Sequence, residues 1–99
     1  MSNPIGVLTF GEGISVIVDQ PIFRIGRNPA ITDYRILDNQ TISRLHAVIT
    51  RENGNFYIVD SDSTCGTFVN NQKIGSEPFQ LVAGDIIRLA DLEMTFDIN

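Results

Sequence analysis

An all-β fold, a sandwich or a barrel, is what this 99-residue chain predicts, on three observations. Short apolar runs recur with Gly, Pro, Asn and Asp between them at intervals of about eight to twelve residues, the rhythm of strands joined by tight turns. The stretch RENGNFYIVD sets Asn53-Gly54 between two β-rich runs, and both residues tolerate the positive φ that a type I′ hairpin turn demands. The one segment with helical spacing also fits a loop followed by a strand, and its neighbour requires the strand.

Taken in chain order, residues 5–10 and 14–18 flank a Gly-Glu-Gly turn as a first pair of strands. Residues 22–25 follow, then a polar stretch over 26–33, then the apolar run 34–37. Residues 46–51 and 56–60 form the Asn-Gly hairpin, and its two-residue loop fixes the register: Thr50 faces Tyr57, Ile49 faces Ile58 and Val48 faces Val59. Apolar pairs then meet on both faces, which predicts central strands covered on both sides. Asn70-Asn71 makes a second tight turn between 67–69 and 72–74, because Asn is the best substitute for Gly in left-handed backbone. Residues 79–82, 86–89 and 94–98 complete the set. The helical rival is Ile42, Leu45 and Ile49 on one face, with Thr41 as its cap. Strand 56–60 needs an extended partner across Asn53-Gly54, and only 46–51 supplies it.

Length leaves room for one domain over 1–99, with enough chain to bury a core without staples. Hydrophobic residues at 42% and charged residues at 19% describe a soluble globular chain rather than a disordered one. A net charge of −5 argues against a general nucleic-acid binder, whose affinity comes from clustered Lys and Arg. No apolar stretch is long enough for a membrane helix, and Met1-Ser2-Asn3-Pro4 lacks the basic start of a signal peptide. A single cysteine makes no internal disulfide, and the expected compartment is the cytoplasm. The chain ends at its last strand, which leads us to expect a module of a larger protein.

Three segments carry reactive side chains. Gly26-Arg27 places a guanidinium just past a strand end, on a loop stiffened by Pro29. Ser43-Arg44-Leu45-His46 combines a hydroxyl, a planar fork of N–H donors suited to phosphate oxygens, and the only histidine. His46, with no metal-ligand companions, is expected to hydrogen-bond loop backbone. Residues 61–70 form a polar loop of small residues whose amides suit an anion. Cys65 with His46, oriented by Asn70 or Asp60, would be a thiol nucleophile pair, but nothing in the spacing brings them together. One His and one Cys do not make a metal site.

Each segment alone reads as ordinary loop. In order and together, Gly26-Arg27, Ser43-Arg44-x-His46-Ala47, Ser63-x-x-Gly66-Thr67-x-Val69-Asn70 and Leu81-x-x-Gly84-Asp85 resemble the forkhead-associated (FHA) domain over about residues 7–98. The resemblance implies a Greek-key-like β-sandwich of about eleven strands whose loops at one end bind phosphothreonine peptides. It implies a non-catalytic adaptor in Ser/Thr kinase signalling, with a phosphothreonine protein as partner, no cofactor, and no nucleic acid or membrane. Carried over by position, Arg27 and Ser43 match the phosphate-contacting pair, Arg44 a further basic contact, and Thr64 a contact from the third loop. Gly26, His46, Gly66, Thr67 and Asn70 match positions that hold the loops in shape. Residues Thr41 and Ile42 and the segment 71–80 are candidates for reading the third residue after the phosphothreonine. One departure stands out. Cys65 replaces the family asparagine whose carboxamide bonds the peptide main chain, and a thiol cannot reproduce both bonds. The alternative it motivates is phospho-independent association, with another protein or with itself, through an FHA-like fold.

Overall fold

The structure is a computed structural model that describes residues 4–11 and 13–99; Met1-Ser2-Asn3 and Glu12 of the first turn lie outside them. Eleven strands form among the described residues: β1 (Gly6–Phe10), β2 (Ser15–Val18), β3 (Ile22–Gly26), β4 (Tyr34–Arg35), β5 (Ala47–Glu52), β6 (Asn55–Asp60), β7 (Thr67–Val69), β8 (Gln72–Ile74), β9 (Phe79–Leu81), β10 (Ile86–Leu89) and β11 (Leu92–Ile98). They pair into a six-stranded sheet, β2-β1-β11-β10-β7-β8, and a five-stranded sheet, β4-β3-β5-β6-β9. Within this sandwich no helix is long and apolar enough to cross a membrane, among the described residues.

Alternation builds the core. Ala47 and Ile49 of β5, Phe56 and Ile58 of β6, Ile87 and Leu89 of β10, and Met94 and Phe96 of β11 all point between the sheets and are buried. Phe56 and Phe96 come from opposite sheets and meet edge to face, ring centroids 5.3 Å apart, the arrangement that aromatic quadrupoles favour.

The Asn53-Gly54 turn has positive φ at both residues, 53° and 81°, and the pairs Val48↔Val59, Ile49↔Ile58 and Thr50↔Tyr57 form as the sequence predicts. Asn70 and Asn71 take φ of 50° and 69° in the β7–β8 turn. Two expectations need correction. β5 is central, but the hairpin is covered on one face: Ile49 and Ile58 are sealed inside, whereas Val48 and Val59 are half-buried on the outer face of the five-stranded sheet. Valine on that face meets the β-propensity of a pleated surface without needing a second layer. The apolar run 34–37 yields a strand of only Tyr34–Arg35, paired parallel to β3.

Topology gathers the polar loops. β3 runs antiparallel to β5 with Ile25 opposite Ala47, and β5 runs antiparallel to β6 with Ala47 opposite Asp60. The end of β3, the start of β5 and the end of β6 therefore share one edge of the molecule. From that edge spring the β3–β4 loop with Arg27, the β4–β5 loop with Ser43 and Arg44, and the β6–β7 loop with Thr64 and Cys65.

Candidate functional site: three loops on one rim

The first two loops are zipped together by backbone. Arg27 N–H donates to the Ser43 carbonyl at 3.1 Å, Asn28 N–H to the Arg44 carbonyl at 3.1 Å, and His46 N–H to the Ile25 carbonyl at 2.8 Å. Gly26 makes this approach possible. A Cβ there would stand 2.1 Å from the Arg44 carbonyl oxygen, so no larger residue fits without separating the loops. The Arg27 Nε donates to the Ile42 carbonyl, which fixes the side-chain stem and leaves the Nη groups for a ligand. Ile42 offers nothing else to a ligand; its side chain is fully buried in the core.

His46 ties the second loop to the third. Its ring is fully buried, and Nδ1 accepts the Ser43 N–H at 3.1 Å while Nε2 lies 2.9 Å from the Gly66 carbonyl. An acceptor at Nδ1 and a donor at Nε2 is the neutral imidazole, its tautomer assigned by these partners. Ser43 completes the join: Thr64 N–H donates to Ser43 Oγ at 3.0 Å. A hydroxyl that accepts in this way keeps its own proton to donate outward.

The third loop is braced from below by Asp60, at the end of β6. Its carboxylate accepts the Ser63 hydroxyl at 2.5 Å, the Thr67 hydroxyl at 2.6 Å and the Ser63 N–H at 3.1 Å. Ser63 Oγ in turn accepts the Gly66 N–H at 3.0 Å, and Gly66 itself holds φ of 88°. Burial works to raise the Asp60 pKa, but hydrogen bonds from the Ser63 and Thr67 hydroxyls and the Ser63 amide outweigh it and hold the carboxyl below its ordinary range.

Arg27, Ser43, Arg44, Thr64 and Cys65 thus stand on one rim, with Arg27, Arg44 and Thr64 exposed and Ser43 half-buried. Arg27, Asn28, Pro29 and Arg44 line a recess of about 220 Å³. Cys65 is a free, exposed thiol. Among the described residues no group of three His, Cys, Asp or Glu side chains gathers to hold a metal ion. Asn70 is not on the rim. It sits at the other end of β7, donating to Asp85 Oδ1 at 2.9 Å and accepting the Ile86 N–H at 2.9 Å, so it fastens the β7–β8 turn to the start of β10.

Sequence reasoning missed two contributors. Arg35 donates from Nε to the Arg27 carbonyl at 3.2 Å, which adds a third guanidinium beside the rim. Only the parallel register Gly26↔Arg35 brings it there, and no local sequence signal announces a two-residue parallel strand. Asp91 in the β10–β11 turn accepts Asn39 Nδ2 at 3.1 Å and lies 2.8 Å from the Thr41 hydroxyl; these side-chain bonds keep its carboxyl below the usual range. It anchors the β4–β5 loop from a position fifty residues away.

Comparison with known proteins agrees with this architecture. A family profile for the FHA domain matches residues 23–90. The chain is 34% identical over 84 residues to an oxoglutarate dehydrogenase inhibitor of Corynebacterium diphtheriae, covering 85% of this chain and 56% of that protein. It is equally identical to the glycogen accumulation regulator GarA of Mycolicibacterium smegmatis, covering 85% of this chain and 51% of the relative. The chain thus spans about half the length of the curated relatives it matches. Among solved structures, Mycobacterium tuberculosis EmbR in complex with a low-affinity phosphopeptide superposes with a TM-score of 0.87 at 33% identity, over 96% of this chain and 24% of EmbR. An FHA domain solved in work on phosphothreonine-dependent FHA interactions gives a TM-score of 0.84 at 29% identity, over 96% of this chain and 97% of that one. The chain belongs to the FHA-domain family.

Proposed function

We propose that this chain is a non-catalytic reader of phosphothreonine, binding a phosphorylated segment of a partner protein downstream of a Ser/Thr kinase. The observation that carries the reading is the joining of three loops at one rim, where Thr64 N–H meets Ser43 Oγ at 3.0 Å and Arg27 N–H meets the Ser43 carbonyl at 3.1 Å. The phosphopeptide bound by EmbR supports the same use of the fold. In this reading Arg27 and Arg44 neutralise the phosphate, the Ser43 hydroxyl donates to it, and Thr64 reaches it from the third loop. Gly26, His46, Gly66 and Thr67 keep the loops in place.

A phosphothreonine carries about −1.5 to −2 charges near neutral pH and three strong acceptor oxygens. Charge-assisted hydrogen bonds contribute about 1.5–3 kcal/mol each, so a handful suffices for micromolar binding once ordering costs are met. Those costs are small where His46, Asp60 and Gly26 already hold the loops. An unphosphorylated threonine leaves the same donors without a partner, which is the basis of discrimination. Residues 1–99 act as one such module, in the cytoplasm, where a lone thiol stays reduced. The test is titration of a phosphothreonine peptide library and its unmodified twin against the chain. Selective binding of the phosphorylated set supports the reading, and equal binding of both rejects it in favour of phospho-independent association.

A further inference from the structure

Ile87 and Leu89 of β10 point into the core, so Arg88 between them stands on the outer face of the six-stranded sheet. It is half-buried, and among the described residues no carboxylate forms an ion pair with it; Glu93 lies opposite across β10–β11 without reaching it. The guanidinium is engaged in another way. Its Cζ lies 4.0 Å from the centroid of the Phe68 ring, which the β10–β7 register places directly across from it. Nη1 donates to the Ala90 carbonyl at 2.6 Å. Stacking on a ring while bonding a carbonyl suits a planar guanidinium better than an ammonium.

Both partners of Arg88 touch the third loop. The Phe68 ring packs against Gly66, where an added Cβ would stand 3.2 Å from Phe68 Cε1 and 3.3 Å from Cζ. Ala90 N–H donates to the Gly66 carbonyl at 2.9 Å, the same oxygen that meets His46 Nε2. Ala90 itself holds φ of 55°, left-handed backbone that a residue with a side chain keeps only where its surroundings enforce it. The bond from Arg88 to its carbonyl is one such restraint. The next residue, Asp91, bonds Asn39 and Thr41 of the β4–β5 loop. The β10–β11 turn is therefore a second strut, besides His46, between the second and third loops.

We infer that Arg88 is a positioning residue for the phosphate rim: through Phe68 and Ala90 it fixes Gly66, and with it the Thr64-Cys65 tip that meets the partner. The inference rests on the phosphothreonine reading. Gly66 N–H bonds Ser63 Oγ, and Thr64 N–H bonds Ser43 Oγ, so a Gly66 that drifts carries the tip away from Ser43. Pinning the loop before the ligand arrives removes that ordering from the act of binding. Arg27 is served differently, since its loop is held by backbone bonds from Arg27 and Asn28 to the carbonyls of Ser43 and Arg44. Loss of Arg88 therefore acts on the contribution of Thr64 and leaves that of Arg27 alone.

The experiment is a double-mutant cycle read alongside amide exchange. Arg88→Met keeps an unbranched stem without the guanidinium, and Phe68→Leu removes the ring. Affinity for a phosphothreonine peptide, melting temperature and exchange are measured for both, for Phe68→Tyr, and for the first two combined with Thr64→Ala or Arg27→Ala. Arg88→Met and Phe68→Leu should each lower affinity by about 3- to 10-fold, the size of coupling that one side-chain network transmits. In the Thr64→Ala background that loss should largely vanish, and in the Arg27→Ala background it should stay whole, because coupled sites are non-additive and independent ones add. The Thr64 and Gly66 amides should exchange faster in both variants, while those of Asn70 and Ile86, bonded to each other's residues at the other end of the sheet, keep the wild-type rate. Phe68→Tyr retains the aromatic face and should restore most of what Phe68→Leu loses. Normal wild-type binding that neither variant weakens overturns the positioning role and spares the phosphothreonine reading. A loss of equal size in the Thr64→Ala background also overturns it, since Arg88 then acts by another route. Faster exchange at both ends alike, with a matching fall in melting temperature, marks a general loss of stability and overturns it as well. Absence of phosphate-dependent binding by the wild type removes the phosphothreonine reading and this inference together.

Discussion

Gly26 lacks a side chain because the Arg44 carbonyl stands where one would go. The Gly26→Ala variant must push apart the two loops that Arg27 and Asn28 bond together, an overpacking cost of about 1–3 kcal/mol or more. At about 4–8 °C per kcal/mol for a domain of this size, a melting curve should show a clear loss, and an unchanged midpoint would contradict the close approach. Arg27→Ala tests the charge directly. Truncating one side of a desolvated charge pair costs about 2–5 kcal/mol, so phosphopeptide affinity should drop by more than tenfold, while the melting temperature falls only by the few degrees that losing the bond to the Ile42 carbonyl entails. Cys65→Asn runs the other way. The thiol is exposed, so the change leaves folding alone, and restoring a carboxamide able to bond the peptide main chain adds about 0.5–1.5 kcal/mol per bond. Calorimetry should report tighter binding; weaker binding would show that the thiol has its own ligand-facing role. At this scale the sequence brought Arg27 and Ser43 together only through the order and spacing of their segments, since each segment alone reads as ordinary loop. It was silent on Arg35 and Asp91, whose partners are chosen by tertiary placement alone.

Among the elements, the β5–β6 hairpin was readable to the individual pair because a two-residue turn leaves no freedom in register. β4 was not, since a parallel pairing through a loop carries no periodic signal. The same limit explains Val48 and Val59: alternation tells which residues share a face, not whether a second layer covers it. The β6–β7 loop, read from sequence as small polar residues, depends on a carboxylate belonging to the preceding strand. Asp60 receives three hydrogen bonds from that loop and β7, and its folded pKa lies below the ordinary value of 3.8. A carboxyl whose pKa falls on folding contributes stability that is fully present above the unfolded value and is lost as pH drops through the folded one. Loop order should therefore be insensitive to pH near neutrality and fail only below about pH 3.8. Amide exchange of Thr64 and Gly66 across that range should show the change in the wild type. An Asp60→Asn variant should already exchange faster at neutral pH, with no further acid step below 3.8 from this group. A wild-type loop that loosens well above pH 3.8 would show that Asp60 does not govern it.

The whole molecule sets a positive spot on a negative body. The net charge is −5, yet Arg27, Arg35 and Arg44 project from one edge. A phosphate seated in the rim feels the arginines at contact distance, where salt screens little. Residues of the partner that trail beyond the rim feel the body at longer range, where screening over about 10 Å at 0.1 M salt governs the interaction. The two contributions therefore separate with ionic strength. For phosphothreonine peptides whose outer flanks are Glu-rich, Ala-rich or Lys-rich, affinity at about 0.02 M salt should rise in that order. The spread should close as salt approaches about 0.5 M, leaving the phosphate dependence itself largely in place. Fluorescence anisotropy on the three peptides and their unphosphorylated twins measures both effects in one series. Tighter binding of the Glu-rich peptide at low salt would mean that the field of the arginine edge extends well past the rim and that the acidic body does not shape partner choice. Equal affinities at every salt concentration would mean that the flanks leave the surface altogether, and selection would then rest on contacts within the rim and along the edge beside it.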